Sequence, residues 1–294
     1  MRITGNRMID VAAASTTKNQ SAVATSAAEL SSGMRVTTPS DDPDAWLAAQ
    51  RTKLHQALSQ GTGAAMASSR DRLEVSDNAL ASLGDVLSQV RSLAIQGSSD
   101  TYNAANRAGL GDQVHGLFLN ALDAANARGN DGEFLFAGSA SLAQPFDAAG
   151  AYQGDASVRT VPSEGSATNP VTIAGTALTS ASGVDVLPLL DKIATALSTN
   201  DMTTLRGSLP DLDTAIKQVS SARTRAGSAM NVLDQANTVR GVMEQDMTAA
   251  ISKFVEVDAV SAASELAKAS QALEVSRTVA AHVAAVLNPS ATAG

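Results

Sequence analysis

Three aspartates crowd into Asp41-Asp42-Pro43-Asp44, and clustered carboxylates are what a hard cation such as calcium or magnesium selects. The run lacks the alternating ligand spacing and the distant bidentate Glu of a calcium loop. A helix start explains it better: Asp42 can cap, Pro43 suits the first helical position, and Asp44 favours the positive end of the helix dipole. The histidines, His55, His115 and His282, lie far apart, and none has another histidine at a metal-ligand spacing. No His-Glu-x-x-His motif, Gly-x-Ser-x-Gly elbow or phosphate-cradling Gly-Lys-Ser/Thr loop occurs, and Gly61 and Gly63 read as two glycines in a helix-leaning stretch. With no cysteine, disulfides, thiolate zinc sites, iron–sulfur clusters and thiol nucleophiles are excluded. Neither catalysis nor a metal nor a cofactor is expected.

The elements therefore carry the information. Apolar residues make up 44% of the chain but aromatics only 3%, so the apolar surface comes from Ala, Leu, Val and Met, which suit closely approaching helices. A net charge of −8 argues against nucleic acid, which needs clustered Lys and Arg. Met1 to Arg7 is not followed by an apolar run, so a cleaved secretory signal is not expected. No stretch approaches the ~20 apolar residues that insert into a membrane. The first forty residues carry Arg2, Arg7, Lys18 and Arg35 against Asp10 and Glu29, while residues 255–294 carry Lys268 and Arg277 against Glu256, Asp258, Glu265 and Glu274, so the ends are weakly complementary. Residues 131–190 hold Arg159 alone against six acids, which reads as a solvated, outward-facing centre.

Proline is absent from Asp44 to Gln144 and from Asp211 to Asn288, and those intervals are the places for long helices. Ile9, Thr16, Val23 and Leu30 repeat at seven-residue spacing in a slender, Ala-rich helix that should end at Gly33. From Asp44 to Gln96 one heptad position holds Leu73, Leu80, Leu87 and Ala94, with Ser76, Leu83 and Val90 three residues on. A helix of that length would span about 80 Å. Residues 97–103 break it, and a further helix near Ala104 to Ala127 puts Val114, Leu117, Phe118, Ala121 and Ala125 on one face. Beyond Gly129 turn residues are dense, and Phe134, Phe136, Phe146 and Tyr152 concentrate there; Val158, Thr160, Val171 and Ile173 are strand candidates, separated by Pro162 and Pro170. Helical texture returns at Leu190, Ile193 and Leu197. Ser208 with Asp211 looks like a capping box that starts the next helix. That helix repeats Leu212, Val219, Ala226, Leu233, Arg240, Met247 and Phe254, and a last one repeats Leu266, Leu273, Ala280 and Leu287, with a frayed tail after Asn288.

The expected fold is mainly α: a long antiparallel helical rod with coiled-coil-like termini, a helical bundle and a small β-rich insert at the distal end. Its expected domains are 1–42 with 255–294, 43–130 with 186–254, and the insert 131–185. Each helical domain then combines N-terminal and C-terminal chain.

Glu29-Leu30-Ser31-Ser32-Gly33-Met34-Arg35-Val36, followed by Ser40-Asp41-Asp42-Pro43, resembles the N-terminal signature of the flagellin superfamily. Filament flagellins continue with a Ser-Ala-Lys-Asp-Asp-Ala-Ala-Gly type sequence, whereas Thr37-Thr38-Pro39-Ser40-Asp41-Asp42-Pro43 looks like the hook–filament junction branch. Asn130 to Ser139 resembles the segment leading into that branch's outer domain, Tyr152-Gln153-Gly154-Asp155 a strand–turn pattern inside it, and Ala222 to Gly227 with Glu265-Leu266-Ala267-Lys268 the returning half. The chain departs from the pattern after Leu287, where a polar Asn-Pro-Ser-Ala-Thr-Ala-Gly tail replaces a more apolar end.

The resemblance implies a structural adaptor without catalysis, exported through the flagellar channel without a cleaved signal. It implies extracellular assembly as a ring of identical subunits between hook-associated protein 1 and flagellin, with an export chaperone and the export apparatus as further partners. The alternatives are a minor flagellin that forms filament and, on periodicity alone, a coiled-coil signalling rod. The thin terminal stripes are expected to pack between subunits through Ile9, Thr16, Val23, Leu30, Leu266, Leu273, Val283 and Leu287, with Arg35 from the signature. Arg223, Arg240 and Glu244 interrupt the long C-terminal seam and are expected where neighbouring rods meet, in carboxylate pairs such as Arg240 with Glu244 one turn on.

Overall fold

The structure, a computed structural model, describes residues 2–162 and 168–287, with side chains from residue 7 to 286 of that range. In chain order it contains α1 (Arg2–Ser32), α2 (Pro43–Gly97), α3 (Ala104–Ala125), β1 (Thr160–Pro162), β2 (Thr168–Pro170), a 3-10 turn (Gly175–Leu178), α4 (Val186–Ser198), α5 (Met202–Val255) and α6 (Ala259–Leu287). The chain is thus mainly α, as its composition requires. The polar tail from Asn288 and the Leu287 side chain lie outside the described residues. Two compact units result: one combines Met1–Ala57 with Met243–Gly294, the other is Leu58–Val242.

The Leu58–Val242 unit has a core of its own. On α2, Leu73, Leu80, Leu83, Leu87, Val90 and Ala94 are buried, and Leu212, Val219, Ala226 and Leu233 answer them from α5. α3 contributes Val114, Phe118 and Ala121, and α4, which packs on α3, contributes Leu190, Ile193 and Leu197. Each such Leu or Phe, taken fully out of water, stabilises the fold by roughly 1.5–3 kcal/mol. The pairs Arg70–Asp234 and Arg91–Asp213 show that α2 and α5 run antiparallel. α3 begins at Asn103, whose side chain accepts the Asn106 amide at 2.8 Å.

Ser208 does not start α5. The helix begins at Met202, where Asp201 accepts the amides of Thr203 (3.1 Å) and Thr204 (3.0 Å), and Ser208 is fully buried with its hydroxyl on the Thr204 carbonyl. Pro210 falls inside the helix. The buried Leu205 and Leu212 on either side of it offset the one helix hydrogen bond that proline removes.

Regular β structure among the described residues is confined to β1 and β2, antiparallel with Val161 opposite Asn169, and to isolated bridges such as Phe146 with Tyr152. Of the four strand candidates only Thr160 lies in a strand; Val171 and Ile173 are buried and join the core. Side chains satisfy the backbone where a sheet would otherwise do so. Asn126 pairs with both the amide (3.0 Å) and the carbonyl (3.1 Å) of Phe146, and Asp147 accepts the amides of Ala149 and Ala151. The Tyr152 hydroxyl lies 2.9 Å from the Phe136 carbonyl and 2.7 Å from that of Asp155, with burial pushing its pKa up to about 12. Asp155 takes the Ser139 hydroxyl and the amides of Ser139 and Ser157, contacts that hold its carboxyl below the usual range. Arg72, almost buried on α2, binds Asp131 (2.7 Å), Glu133 (3.4 Å) and the Phe134 carbonyl (2.8 Å), fixing the start of this segment to the helix.

Candidate assembly interface

The other unit is built on α1 and α6, which pair with each other. Asn19 donates to the Ala272 carbonyl at 3.1 Å and Thr16 lies 3.5 Å from that of Ser276, so the two helices run antiparallel. Small groups allow this approach: Ser26, Ala262 and Ser276 are the buried residues of the pair. Thr16, Val23, Leu266, Leu273 and Val283 are only half-buried along the seam, while Ile9 and Leu30 are 44% and 38% exposed.

A second stripe was not evident from the heptads. Met8, Val11, Val260, Val275, Val279 and Val286 all stand more than half exposed, Val260 to 80%. Arg7, Met8, Val11, Ala12, Ser15, Val279 and Val283 line an apolar groove of about 590 Å³. The signal was present in Val275, Val279 and Val286, spaced four and seven apart, one face round from Leu273 and Ala280.

The signature segment forms the corner after α1. Gly33 ends the helix at φ 71°, a left-handed conformation that costs glycine nothing, and its amide returns to the Glu29 carbonyl at 2.8 Å. Met34 bridges to Glu256; the amides of Arg35 and Val36 both reach the Val255 carbonyl, and Val257 donates to Gly33. Arg35 spans Asp42 (3.0 Å) and the Phe254 carbonyl (3.1 Å). Asp42 accepts the Ala45 amide at 3.1 Å and caps α2, and that bond together with Arg35 lowers its pKa. Asp41 accepts the amides of Thr38 (2.8 Å) and Thr37 (2.9 Å), which bring its pKa down to about 2. The aspartates thus serve backbone donors. Val36, Ala49 and Val255 form a small core here, flanked by Trp46, Ile251 and Phe254.

The three polar positions of the long seam separate. Arg223 makes a two-pronged pair with Asp77 of the same chain, at 3.0 and 3.1 Å. Arg240 is held by Asn237 Oδ1, and its guanidinium lies over Gly63, where an added Cβ would sit 2.5 Å from Cζ. Gly63 is therefore the cleared place that lets Arg240 lie flat, a role its sequence context hid. Glu244 is half-buried. His55 and His282 are exposed, and His115 stacks on Phe118 with centroids 5.9 Å apart.

The N-terminal and C-terminal helices thus pair through small residues and leave an apolar stripe bare. The bacterial flagellin N-terminal helical region matches residues 3–141 and the C-terminal helical region residues 209–287. The chain belongs to the flagellin superfamily. It is 29% identical over 157 residues to flagellar hook-associated protein 3 of Salmonella typhimurium, a match covering 52% of this chain and about half (49%) of that relative. To the Escherichia coli protein of the same name it is 25% identical over 258 residues, covering 78% of this chain and 80% of the relative. A structure assigned to a flagellar hook-associated protein of Vibrio parahaemolyticus superposes with a TM-score of 0.68 at 19% identity, covering 74% of this chain and all of that one, and so shares the fold.

Proposed function

We propose that this chain is a structural subunit of the bacterial flagellum that joins the hook to the flagellin filament and carries out no catalysis. The observation that carries the reading is the match to two proteins named hook-associated protein 3, one of them over four fifths of its length. The Thr37 to Pro43 segment supports it, because Thr37, Thr38, Pro39, Ser40 and Pro43 resemble the junction branch where filament flagellins have a different sequence around the shared Asp-Asp.

In this reading the subunit is exported through the flagellar channel with an export chaperone. It assembles outside the cell as a ring, with hook-associated protein 1 on one side and flagellin on the other. Residues 1–42 and 255–294 form the inner layer, 43–130 and 186–254 the rod, and 131–185 the outward part. The α1 and α6 positions Ile9, Val23, Leu30, Leu266, Leu273 and Val283 meet neighbouring subunits, together with the bare valines.

Deleting the gene tests the reading. Hooks should remain while flagellin leaks into the medium; complete filaments on the deletion strain would overturn it. Purified protein separates it from a minor flagellin: unlimited polymerisation seeded by filament ends would defeat the junction role.

A further inference from the structure

Within the Leu58–Val242 unit, one edge of the α2–α5 pair is a row of ion pairs. Arg70 meets Asp234 at 2.9 Å, Asp77 meets Arg223 at 3.0 Å, and Arg91 meets Asp213 at 2.6 Å. On α2 the row occupies a single heptad position, Arg70, Asp77, Gly84 and Arg91. Gly84 carries no charge and lies against Val219. The sign alternates along the row, plus, minus, plus on α2 against minus, plus, minus on α5.

The apolar seam beside it cannot fix the register alone. Leu212, Val219, Ala226 and Leu233 recur every seven residues, so sliding α5 by one heptad lands all but one of them on another apolar place, the exception being the exchange of Leu233 and Arg240 at the end of the run. The charges do not survive the slide. Shifted one way, Arg91 faces Arg206, Asp77 faces Ile216 and Arg70 faces Gly227. Shifted the other way, Asp77 faces Met230, Arg91 faces Ser220, and Arg70 faces Gly241 beside Arg240. All three pairs are lost in both cases, and the first shift sets Arg91 against Arg206.

We infer that the alternating row Arg70–Asp234, Asp77–Arg223 and Arg91–Asp213 is a register lock that selects one axial alignment of α2 and α5 against the two alignments one heptad away. The stakes are geometric. α3, the central segment and α4 are strung between the end of α2 and the start of α5, and a one-heptad slide would move those attachment points by about 10 Å. Each pair is solvent-accessible and individually weak, so the lock acts by discriminating alignments rather than by holding the helices together.

The natural chain has no cysteine, so disulfide trapping on the full-length protein reads the register directly. Gly84→Cys with Val219→Cys reports the native alignment, and Gly84→Cys with Leu212→Cys or Ala226→Cys reports the two slid ones. With natural charges only the native reporter should close. Reversing the α2 row (Arg70→Glu, Asp77→Lys, Arg91→Glu) should reduce the native product, make a slid product appear, and lower Tm by roughly 5 °C at low salt. Reversing the α5 row as well (Asp213→Lys, Arg223→Glu, Asp234→Lys) should restore the native product. A chain reversed on α2 alone that still closes only the native reporter, at the natural rate, overturns the lock. If that chain fails to fold, Asp77→Lys with and without Arg223→Glu takes its place, and failure of the second change to recover the loss is equally fatal.

Discussion

The two units bury their helices in opposite ways. In Leu58–Val242 the heptad positions of α2 and α5 carry leucines and valines, and nearly every one is sealed. In the unit made from both chain ends only Ser26, Ala262 and Ser276 of α1 and α6 are buried among the described side chains, Val23, Leu266, Leu273 and Val283 are half-buried, and Met8, Val11, Val275, Val279 and Val286 face outward. A seven-residue repeat therefore says where helices meet, while the size of the residues in it says whether the meeting suffices. The first unit can offset its ordering entropy alone, whereas the α1–α6 pair removes too little apolar surface to do so.

The largest expected difference is proteolytic. A purified monomer digested briefly should be trimmed to about residues 45–255, because α1 and α6 bury few of their side chains. Ends that stay protected in a proven monomer would erase the contrast. Next comes Leu80→Ala, which empties a fully buried site and should cost about 2–5 kcal/mol in denaturant unfolding. Val279→Ala, on the exposed stripe, should change the same measurement by less than about 0.5 kcal/mol yet impair swimming. Equal effects of the two on monomer stability would show that the stripe is internal.

Acid should act on the corner of the terminal unit. The folded pKa of Asp41, about 2, lies below the ordinary 3.8, so its contribution is present above about pH 4 and is lost as pH falls through 2. Protection of the Thr37 and Thr38 amides, taken against their intrinsic exchange rate at each pH, should fall over that window, and Asp41→Asn should remove its dependence on pH. A loss of protection unchanged in that variant would assign the effect to another group. The smallest change is expected from Arg240→Ala. Its tie to Asn237 is solvent-facing, so monomer melting should hardly move while motility falls. A large loss of melting temperature would place Arg240 in the internal core, and normal swimming would leave it merely solvated.

Periodicity made the helices and the Leu73 to Ala94 core readable, since a repeat of large apolar residues admits few other uses. Proline and aspartate made the start of α2 readable for the same reason. The start of α5 was not, because Ser208 and Asp211 spell a cap that a buried serine does not form; the decisive residue was Asp201, whose role depends on Leu205 and Leu212 finding a core. In the central segment Asn126, Tyr152 and Asp155 hold the backbone through contacts ten or more residues apart, as between Asn126 and Phe146, which local texture cannot encode. The seven-residue spacing of Leu266 and Leu273 put them on one face of α6, where the structure half-buries them along the α1–α6 seam, whereas the partner of Arg223 was not legible. Asp77 is distant in sequence, and only the antiparallel pairing brings it near.

Trp46 is the chain's one tryptophan, and it sits against the small cluster of Val36, Ala49 and Val255 in the terminal unit. Both tyrosines, Tyr102 and Tyr152, belong to the other unit. The molecule thus carries separate optical labels for its two parts. Indole emission, excited at the red edge of the absorption band, reports whether the corner at Arg35 to Trp46 is dry, while tyrosine absorbance follows the large core. Loosening of the terminal unit can be watched in unlabelled protein while the Leu58–Val242 unit remains spectroscopically still.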